Sequence, residues 1–157
     1  MSSLNKLHQL CVEKGVSIAV AESCTAGIIA SKLTALPGSS SFFKGGVVAY
    51  QNEIKTKILG VSQSIIDEKT EVSAEVVKQM AKSVLEKFDA NFAIATTGYA
   101  GPTGGTNKNP IGTVFIAIAS VVGVVVSRFV FLGNRQSIVN QASESALSLL
   151  YTEIKKQ

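Results

Sequence analysis

Histidine and cysteine are scarce in this chain of 157 residues, which contains only His8, Cys11 and Cys24. Two cysteines at this spacing form no disulfide framework, and no basic-then-apolar signal pattern opens the sequence, so we expect a reducing, cytoplasmic setting. One histidine and isolated carboxylates also fall short of the spacing of zinc or magnesium sites, so no metal and no cofactor are predicted. His8 lies far in sequence from every glycine-rich turn, which leaves a Ser-His-Asp triad without its base.

Long apolar runs and blocks of charge are also missing. The longest apolar run, Val114 to Val126, is interrupted by Ser120 and Gly123 and is much shorter than the roughly 20 residues of a membrane-spanning helix. The net charge of +4 comes with lysines spread along the chain, so neither membrane nor nucleic-acid binding is expected, whereas a small anionic substrate is compatible. With 46% apolar residues the chain can bury one core, and we expect a single domain over residues 1–157.

The spacing of apolar residues predicts alternating strands and helices. The predicted strands are 16–21, 45–50, 92–96, 111–120 and 124–132, and the predicted helices are one ending at 15 and others at 25–33, 52–59, 74–88 and 135–155. Ser73 is the predicted N-cap of the helix over 74–88. Since only Val121, Val122 and Gly123 separate the last two strands, they form an antiparallel hairpin. We therefore predict a three-layer α/β domain with a mixed, mostly parallel sheet and helices on both faces. The hairpin leaves a sheet edge to be covered, so a homo-oligomer, with a dimer favoured, is expected.

Three polar stretches follow predicted strands: Glu22–Thr25, Tyr50–Lys55 and Gly98–Pro110. In open α/β sheets, ligands bind beyond the carboxyl ends of the strands, so these stretches are the candidate site. The first places the hydroxyl of Ser23 at a predicted helix start, where free backbone N–H groups hold anions. Taken alone, however, this position fits a helix cap formed by Ser23 or Thr25 better than a nucleophile.

A serine nucleophile needs a base, and without a usable histidine the remaining candidates are lysines. Lys55 and Lys57 both follow the second strand, but a lysine with the ordinary pKa of about 10.4 must be desolvated or crowded by cations to act as a base near neutral pH. Cys24 adjoins Ser23 and is an alternative nucleophile, although a packed small residue is the better interpretation.

The glycine-rich stretch Gly98–Gly105 matches neither the dinucleotide fingerprint nor the phosphate loop of nucleoside triphosphatases. Its backbone is suited to close approach by a phosphate or a flat ring, and a plain flexible loop is the alternative. Arg135, just after the last strand, either clasps a phosphate or caps the hairpin.

Six motifs in the same order resemble the C-terminal domain of the CinA competence/damage-inducible proteins. They are 21–25 (AESCT), 37–43 (PGSSSFF), 46–55 (GVVAYQNEIK), 98–105 (GYAGPTGG), 110–114 (PIGTV) and 133–135 (GNR). The likeness covers nearly the whole chain. The sequence departs from the usual pattern of the family at Ala26, Gln51, Tyr99, Thr103 and Asn134. Since Ser23, Tyr50 and Lys55 are retained, these departures affect the expected fit of the substrate more than the expected chemistry.

Stand-alone members of that family are nicotinamide-nucleotide amidases, so the resemblance implies hydrolysis of nicotinamide mononucleotide to nicotinic acid mononucleotide and ammonia. It also implies Ser23 as nucleophile, Lys55 as base and Tyr50 as an assisting group, with backbone N–H groups of Thr25 and Ala26 holding the oxyanion. Substrate contacts are expected from Glu22, Thr25, Ala26, Asn52, Gly98, Ala100, Gly101, Thr103, Gly104, Gly105 and Arg135, and from Lys108 or a helix N-terminus for the phosphate.

Two further expectations follow from the resemblance. The larger relatives carry an additional N-terminal domain with a different hydrolytic activity, for which a chain of this length has no room. A rival interpretation is a nucleotide-binding module without turnover, linked to competence or the DNA-damage response, and the altered loop residues Tyr99 and Thr103 are the reason to keep it.

Overall fold

The computed structural model describes all of residues 1–157 and contains one five-stranded sheet with six α-helices. The strands are β1 (Ile18–Glu22), β2 (Phe43–Val48), β3 (Phe92–Gly98), β4 (Thr113–Ser120) and β5 (Gly123–Val130). The helices are α1 (Ser3–Lys14), α2 (Ile28–Leu33), α3 (Asn52–Lys57), α4 (Gln63–Lys69), α5 (Ala74–Lys87) and α6 (Arg135–Lys156). None of these helices is long and apolar enough to cross a membrane.

The strands lie in the order β2-β1-β3-β4-β5. β1 runs parallel to both of its neighbours, while β4 runs antiparallel to β3 and β5. Four of the five strands therefore point in one direction, and the predicted mixed, mostly parallel sheet with a late hairpin is confirmed. The carboxyl ends of β1, β2 and β3 meet at the same edge of the sheet, which is where all three polar stretches begin.

The two faces of the sheet carry side chains of different size. One face presents large apolar residues such as Ile18, Val20 and Ile94, and it packs with apolar residues of α1, α2 and α6. The other face presents small ones such as Ala19 and Ala95, and it packs with α5. Because alanine projects little beyond the backbone, α5 can lie close to the strands. The result is the predicted three-layer arrangement.

Local sequence explains most element boundaries. The Oγ of Ser73 accepts a hydrogen bond from the N–H of Val76 at 3.2 Å, which confirms the predicted cap of α5. Gly15 ends α1 in the left-handed conformation with φ of 62°. The short helix α4 was not predicted; Ser62 caps it by accepting from Ile65 N–H.

The start of α2 differs from the prediction in a way that matters for the site. The helix begins at Ile28 instead of Thr25, because Ala26 and Gly27 adopt positive φ values of 48° and 98°. Residues 24–27 therefore form a turn between β1 and α2. Only Gly27 of this turn belongs to the helix N-terminus, as its N-cap, and the N–H groups of Cys24 and Thr25 are not committed to helical hydrogen bonds.

Candidate active site

A cavity of about 410 Å³ lies beyond the carboxyl ends of the parallel strands. It is lined by residues from all three polar stretches, from the end of β3, from the segment before α5 and from the start of α6: Ser23, Cys24, Tyr50, Gln51, Asn52, Lys55, Glu71, Val72, Thr97, Gly98, Tyr99, Ala100, Gly101, Thr103 and Arg135. A larger cavity, of about 540 Å³, lies between α1 and α6 and contains none of the predicted site residues. We therefore place the candidate site in the smaller cavity, where the chemically active side chains converge.

Ser23 is held by its backbone while its hydroxyl remains unpaired. Its N–H donates to the carbonyl of Thr96 at 3.1 Å, and its own carbonyl accepts from Ala26 N–H at 3.1 Å. The Oγ atom has no hydrogen-bond partner within the protein, and Gly27 occupies the N-cap position of α2. A capping role for Ser23 is therefore wrong, and its side chain, only 7% exposed, is available to a group bound in the cavity.

Glu22 caps α2 in place of Ser23. Its two carboxylate oxygens accept from the N–H groups of Ile29 and Ala30, each at 2.9 Å, and the residue is fully buried. The structure does not support the substrate contact predicted for Glu22, because its carboxylate is committed to the helix and the residue does not line the cavity. Because these two N–H groups already donate to Glu22, they are not available to bind an anion at the N-terminus of α2.

The turn after Ser23 offers a different set of backbone donors from the one predicted. Ala26 N–H is bonded to the carbonyl of Ser23, so the structure does not support the prediction that it holds an oxyanion. The N–H groups of Cys24 and Thr25 donate to no protein acceptor. The Thr25 hydroxyl is buried against that of Thr96 at 2.8 Å, so only the backbone of Thr25 is available for the role predicted for it.

Lys55 is almost completely buried, with 1% exposure, although lysine is rarely found inside a protein. Its Nζ donates to the carbonyl oxygen of Tyr50 at 3.1 Å, and no carboxylate lies within ion-pair distance. Burial lowers the pKa of Lys55, and the negative charge of Glu71 and the nearby Cys24 oppose this shift only in part. A larger fraction of Lys55 is therefore neutral near pH 7 than of an ordinary lysine.

Lys57 lies on the opposite side of α3. Its side chain is exposed and forms an ion pair with Glu53 one helical turn earlier. Residues two apart on a helix do not share a face, and Lys57 does not line the cavity. Of the two lysines left open by the sequence, only Lys55 lines the same cavity as Ser23.

Cys24 is buried beside Ser23, and its environment does not activate it. Desolvation raises the pKa of the thiol to about 12, despite smaller opposing effects from a hydrogen bond to Thr96 and the charge of Lys55. The thiolate, which is the nucleophilic form, is accordingly scarce at neutral pH. This favours the interpretation of Cys24 as a packed residue over a cysteine nucleophile.

The outer rim of the cavity is held together by Arg135. Its guanidinium donates to the Tyr50 hydroxyl and to the carbonyl of Gly101, both at 2.7 Å. Arg135 thus does not cap the hairpin but joins two polar stretches that are remote in sequence. These two bonds use two of the five N–H donors of arginine, and the remaining three are free for a ligand.

The glycine-rich loop contributes its first half to the cavity. Gly98, Ala100, Gly101 and Thr103 line it, whereas Gly104, Gly105 and Lys108 do not, so direct substrate contacts predicted for these last three are not supported. The second half of the loop is anchored instead. Its buried Asn109 donates from Nδ2 to the carbonyl of Val72 at 3.3 Å and accepts from Arg128.

Glu71, Val72 and Thr97 line the cavity but carry no motif in the sequence. The Thr97 hydroxyl donates to the backbone carbonyl of Glu71 at 2.7 Å, which ties the segment before α5 to the end of β3. β3 also continues past the predicted end at Thr96. The only sequence signal that could have identified Thr97 as a site residue was its position directly after the predicted end of β3. The sequence contains no such signal for Glu71.

The fold and cavity define a three-layer α/β domain with a ligand-sized cleft at the carboxyl ends of parallel strands, lined by a serine and a buried lysine. A sequence profile described as the CinA C-terminal domain matches residues 2–154. The chain belongs to this family, which confirms the resemblance of the six motifs.

Individual relatives agree with this assignment. The chain is 47% identical over 150 residues to a CinA-like protein of Flavobacterium psychrophilum, with 96% of this chain but 36% of the relative covered. It is 45% identical over 142 residues to a CinA-like protein of Desulfotalea psychrophila, covering 90% of this chain and 34% of the relative. The chain thus spans about a third of the length of these curated relatives.

Solved structures match over nearly their entire length. A competence-damaged protein (CinA) superfamily protein from Klebsiella pneumoniae superposes with a TM-score of 0.94 at 29% identity, covering 100% of both chains. The competence/damage inducible protein CihA from Agrobacterium tumefaciens gives a TM-score of 0.90 at 33% identity, covering 97% of this chain and 96% of that one. The α/β fold is therefore that of the CinA superfamily.

Proposed function

We propose that this chain is a nicotinamide-nucleotide amidase, which hydrolyses the carboxamide of nicotinamide mononucleotide to give nicotinic acid mononucleotide and ammonia. The observation that carries the proposal is Lys55, a buried lysine without a carboxylate partner that lines one cavity with the unpaired hydroxyl of Ser23. Burying a lysine without a counter-charge is unfavourable for folding, and perturbed titratable groups in clefts are typical of active sites.

In the proposed mechanism, neutral Lys55 takes the proton of the Ser23 hydroxyl as the Oγ atom attacks the amide carbon. The backbone N–H groups of Cys24 and Thr25 stabilise the negative oxygen that forms. Protonated Lys55 then gives its proton to the departing nitrogen, and ammonia leaves an ester on Ser23. Water attacks that ester with Lys55 again as base, so that the acid product is released and Ser23 regains its proton.

The rim supplies the contacts to the nucleotide in this proposal. The free donors of Arg135 bind the phosphate, a role for which a guanidinium is well suited. Tyr50 assists from a fixed position, because Arg135 donates to its hydroxyl oxygen and leaves the hydroxyl proton available. The backbone from Gly98 to Gly101 lies alongside the ring and ribose, together with Asn52 and Thr103.

The alternative is a nucleotide-binding module without turnover, linked to competence or DNA damage. The names of the solved relatives favour it, since they refer to competence and damage and not to a reaction. The two functions differ in one observable, the release of ammonia.

A coupled ammonia-release assay across nicotinamide mononucleotide, nicotinamide riboside and unrelated amides tests the proposal. We expect turnover of the mononucleotide, weaker turnover of the riboside, and loss of activity in a folded Ser23→Ala protein. Retained turnover by Ser23→Ala contradicts the mechanism. Thermal stabilisation of the wild-type protein by the mononucleotide without ammonia release supports the binding module instead.

A cytoplasmic setting and self-association are further parts of the proposal. β5 is an edge strand whose side chains include the exposed Val125 and Val130, and an unpaired apolar edge favours pairing with a second copy. Light scattering coupled to size-exclusion chromatography tests this, and a monomer at all concentrations contradicts it.

A further inference from the structure

Glu71 places a carboxylate in the cavity without a partner. Its backbone is fixed, because the Thr97 hydroxyl donates to its carbonyl at 2.7 Å and Asn109 holds the next carbonyl, that of Val72. Its side chain forms no hydrogen bond and no ion pair, although the residue is only partly exposed. The backbone of Glu71 is thus fixed at the cavity wall, and its unpaired carboxylate is available to a positively charged group of a ligand.

Tyr99 places an aromatic ring in the same cavity. The backbone of Tyr99 is bonded on both sides, its N–H to the carbonyl of Thr113 at 2.9 Å and its carbonyl to the N–H of Gly112 at 2.7 Å. Its ring lies against Gly104, where a side chain would begin 3.4 Å from the ring. The absence of a side chain at this position leaves room for the ring, whose face attracts flat groups and cations.

The cavity is lined by charged side chains of both signs. Arg135 is positive at the rim, Glu71 is negative at the wall before α5, and Lys55 contributes no charge when it acts as a base. A ligand that complements both charges carries an anionic group for Arg135 and a flat cationic ring for Glu71. A ligand with the same anionic group and a neutral ring complements Arg135 but leaves the Glu71 carboxylate without a counter-charge.

We propose that Glu71 selects a substrate whose flat ring carries a positive charge, the pyridinium class, with Tyr99 alongside that ring. This inference rests on the proposed function, since it concerns the same cavity and the same reacting amide. It assigns a specificity-determining role to a residue outside the motifs that identify the family in this chain.

The proposal has a consequence for Lys55. The titratable and charged groups that share the cavity with it are Cys24 after β1, Tyr50 before α3, Glu71 before α5, Tyr99 after β3 and Arg135 at the start of α6. Among them, Glu71 opposes the effect of burial by raising the pKa of Lys55. A bound pyridinium offsets the charge of Glu71, so the pKa of Lys55 falls and its proton passes to solvent. A cationic substrate thereby increases the neutral fraction of the base that attacks it.

Isothermal titration calorimetry on Ser23→Ala protein tests this without turnover. The probes are nicotinamide mononucleotide and its 1,4-dihydro form, which has a neutral ring of nearly the same shape and the same phosphate. We expect the cationic form to bind about tenfold more tightly, the order expected for a partly shielded ion pair. Titrations in two buffers of different ionisation enthalpy will show proton release for the cationic form in excess of that for the neutral one.

Glu71→Gln in the same background removes the charge and keeps the shape. We expect the affinity ratio to fall to about one and the excess proton release to disappear, because both depend on the carboxylate. Glu68→Gln is the matched control, since Glu68 is exposed on α4 and lies outside the cavity, and it should keep both. Circular dichroism establishes that each variant is folded.

The outcomes separate this inference from the proposed function. Three outcomes overturn the role of Glu71, even if the wild-type protein releases ammonia. They are equal affinities of the two forms, no binding of either form, and a preference for the cationic form that persists in Glu71→Gln. A preference that depends on Glu71 supports the role of Glu71, even if the wild-type protein releases none, in which case only the amidase proposal fails.

Discussion

The inner wall of the cavity and its rim differ in how the fold treats their polar side chains. Ser23 and Lys55 on the inner wall are almost fully buried, whereas Tyr50 on the rim is 51% exposed and Arg135 is exposed as well. The inner groups are left without charged partners, and the rim groups are bonded to each other. Burial alters proton affinity, and mutual bonding fixes position, which is why the proposed function assigns the chemistry to the wall and the binding of the nucleotide to the rim.

This division explains why two lysines that are close in sequence behave differently. Lys55 points into the low-dielectric side of α3, where water cannot stabilise its charge, and Lys57 points to solvent, where Glu53 and water do so. The contrast depends on helical geometry and not on residue type. The inner wall and the rim can be tested separately, because single substitutions in either place leave most of the fold unchanged.

The largest effect is expected for Ser23→Ala on the inner wall. Removing the nucleophile should lower kcat for nicotinamide mononucleotide on the order of a thousandfold or more. The free energy of unfolding should change little, because the Ser23 hydroxyl forms no hydrogen bond within the protein. Steady-state ammonia release and urea unfolding measure the two quantities. Ser31→Ala on the exposed side of α2 is the control, and it should leave both unchanged.

The next largest effect is expected for Lys55→Met, which keeps the length of the side chain and removes the base. We expect kcat to fall by about two to three orders of magnitude, the usual contribution of a general base. In the wild-type protein, kcat/KM should rise with pH through the lowered pKa of Lys55, so the lower limb of the profile should lie below the ordinary lysine range. An unshifted limb near pH 10 contradicts the assignment.

A smaller effect is expected at the rim. Arg135→Lys keeps the positive charge but loses the planar group that bonds to Tyr50 and Gly101 together. We expect kcat/KM to fall about tenfold, mainly through a higher KM, because a binding contact and not a reacting group is lost. Lys108→Met is the control, since Lys108 does not line the cavity. A loss confined to kcat would instead place Arg135 with the inner wall.

The inner wall and the rim also differ in how far they could be predicted. Periodicity and capping predicted α5 and the hairpin, because these elements depend on local spacing and on Ser73. Ser23 and Lys55 were identified by motif resemblance, since nothing local distinguishes a buried lysine from an exposed one. Burial is decided by which helix face packs inward, and that requires the complete fold.

Two predictions, the start of α2 at Thr25 and the capping role of Ser23, were wrong for the same physical reason, which lies in the turn after β1. Positive φ at Ala26 and Gly27 delays α2 to Ile28, so the capping role passes from Ser23 to Glu22. No sequence rule predicts positive φ at an alanine, because the left-handed conformation is unfavourable there. Glu71 was missed for another reason: the segment before α5 brings it into the cavity that Lys55 lines only in the folded chain.

The smallest expected effect is on stability, and it separates the two lysines of α3. Since burial lowers the pKa of Lys55 below the unfolded value of 10.5, the unfolded chain binds more protons between the folded and unfolded values. The free energy of unfolding contributed by Lys55 should therefore rise with pH across that window. Urea unfolding of wild type, Lys55→Met and Lys57→Met at several pH values in that window measures it. We expect Lys57→Met to retain the rise and Lys55→Met to lose it. Equal slopes in all three proteins would mean that Lys55 is as well solvated as Lys57, and the contrast between the inner wall and the exposed surface would fail.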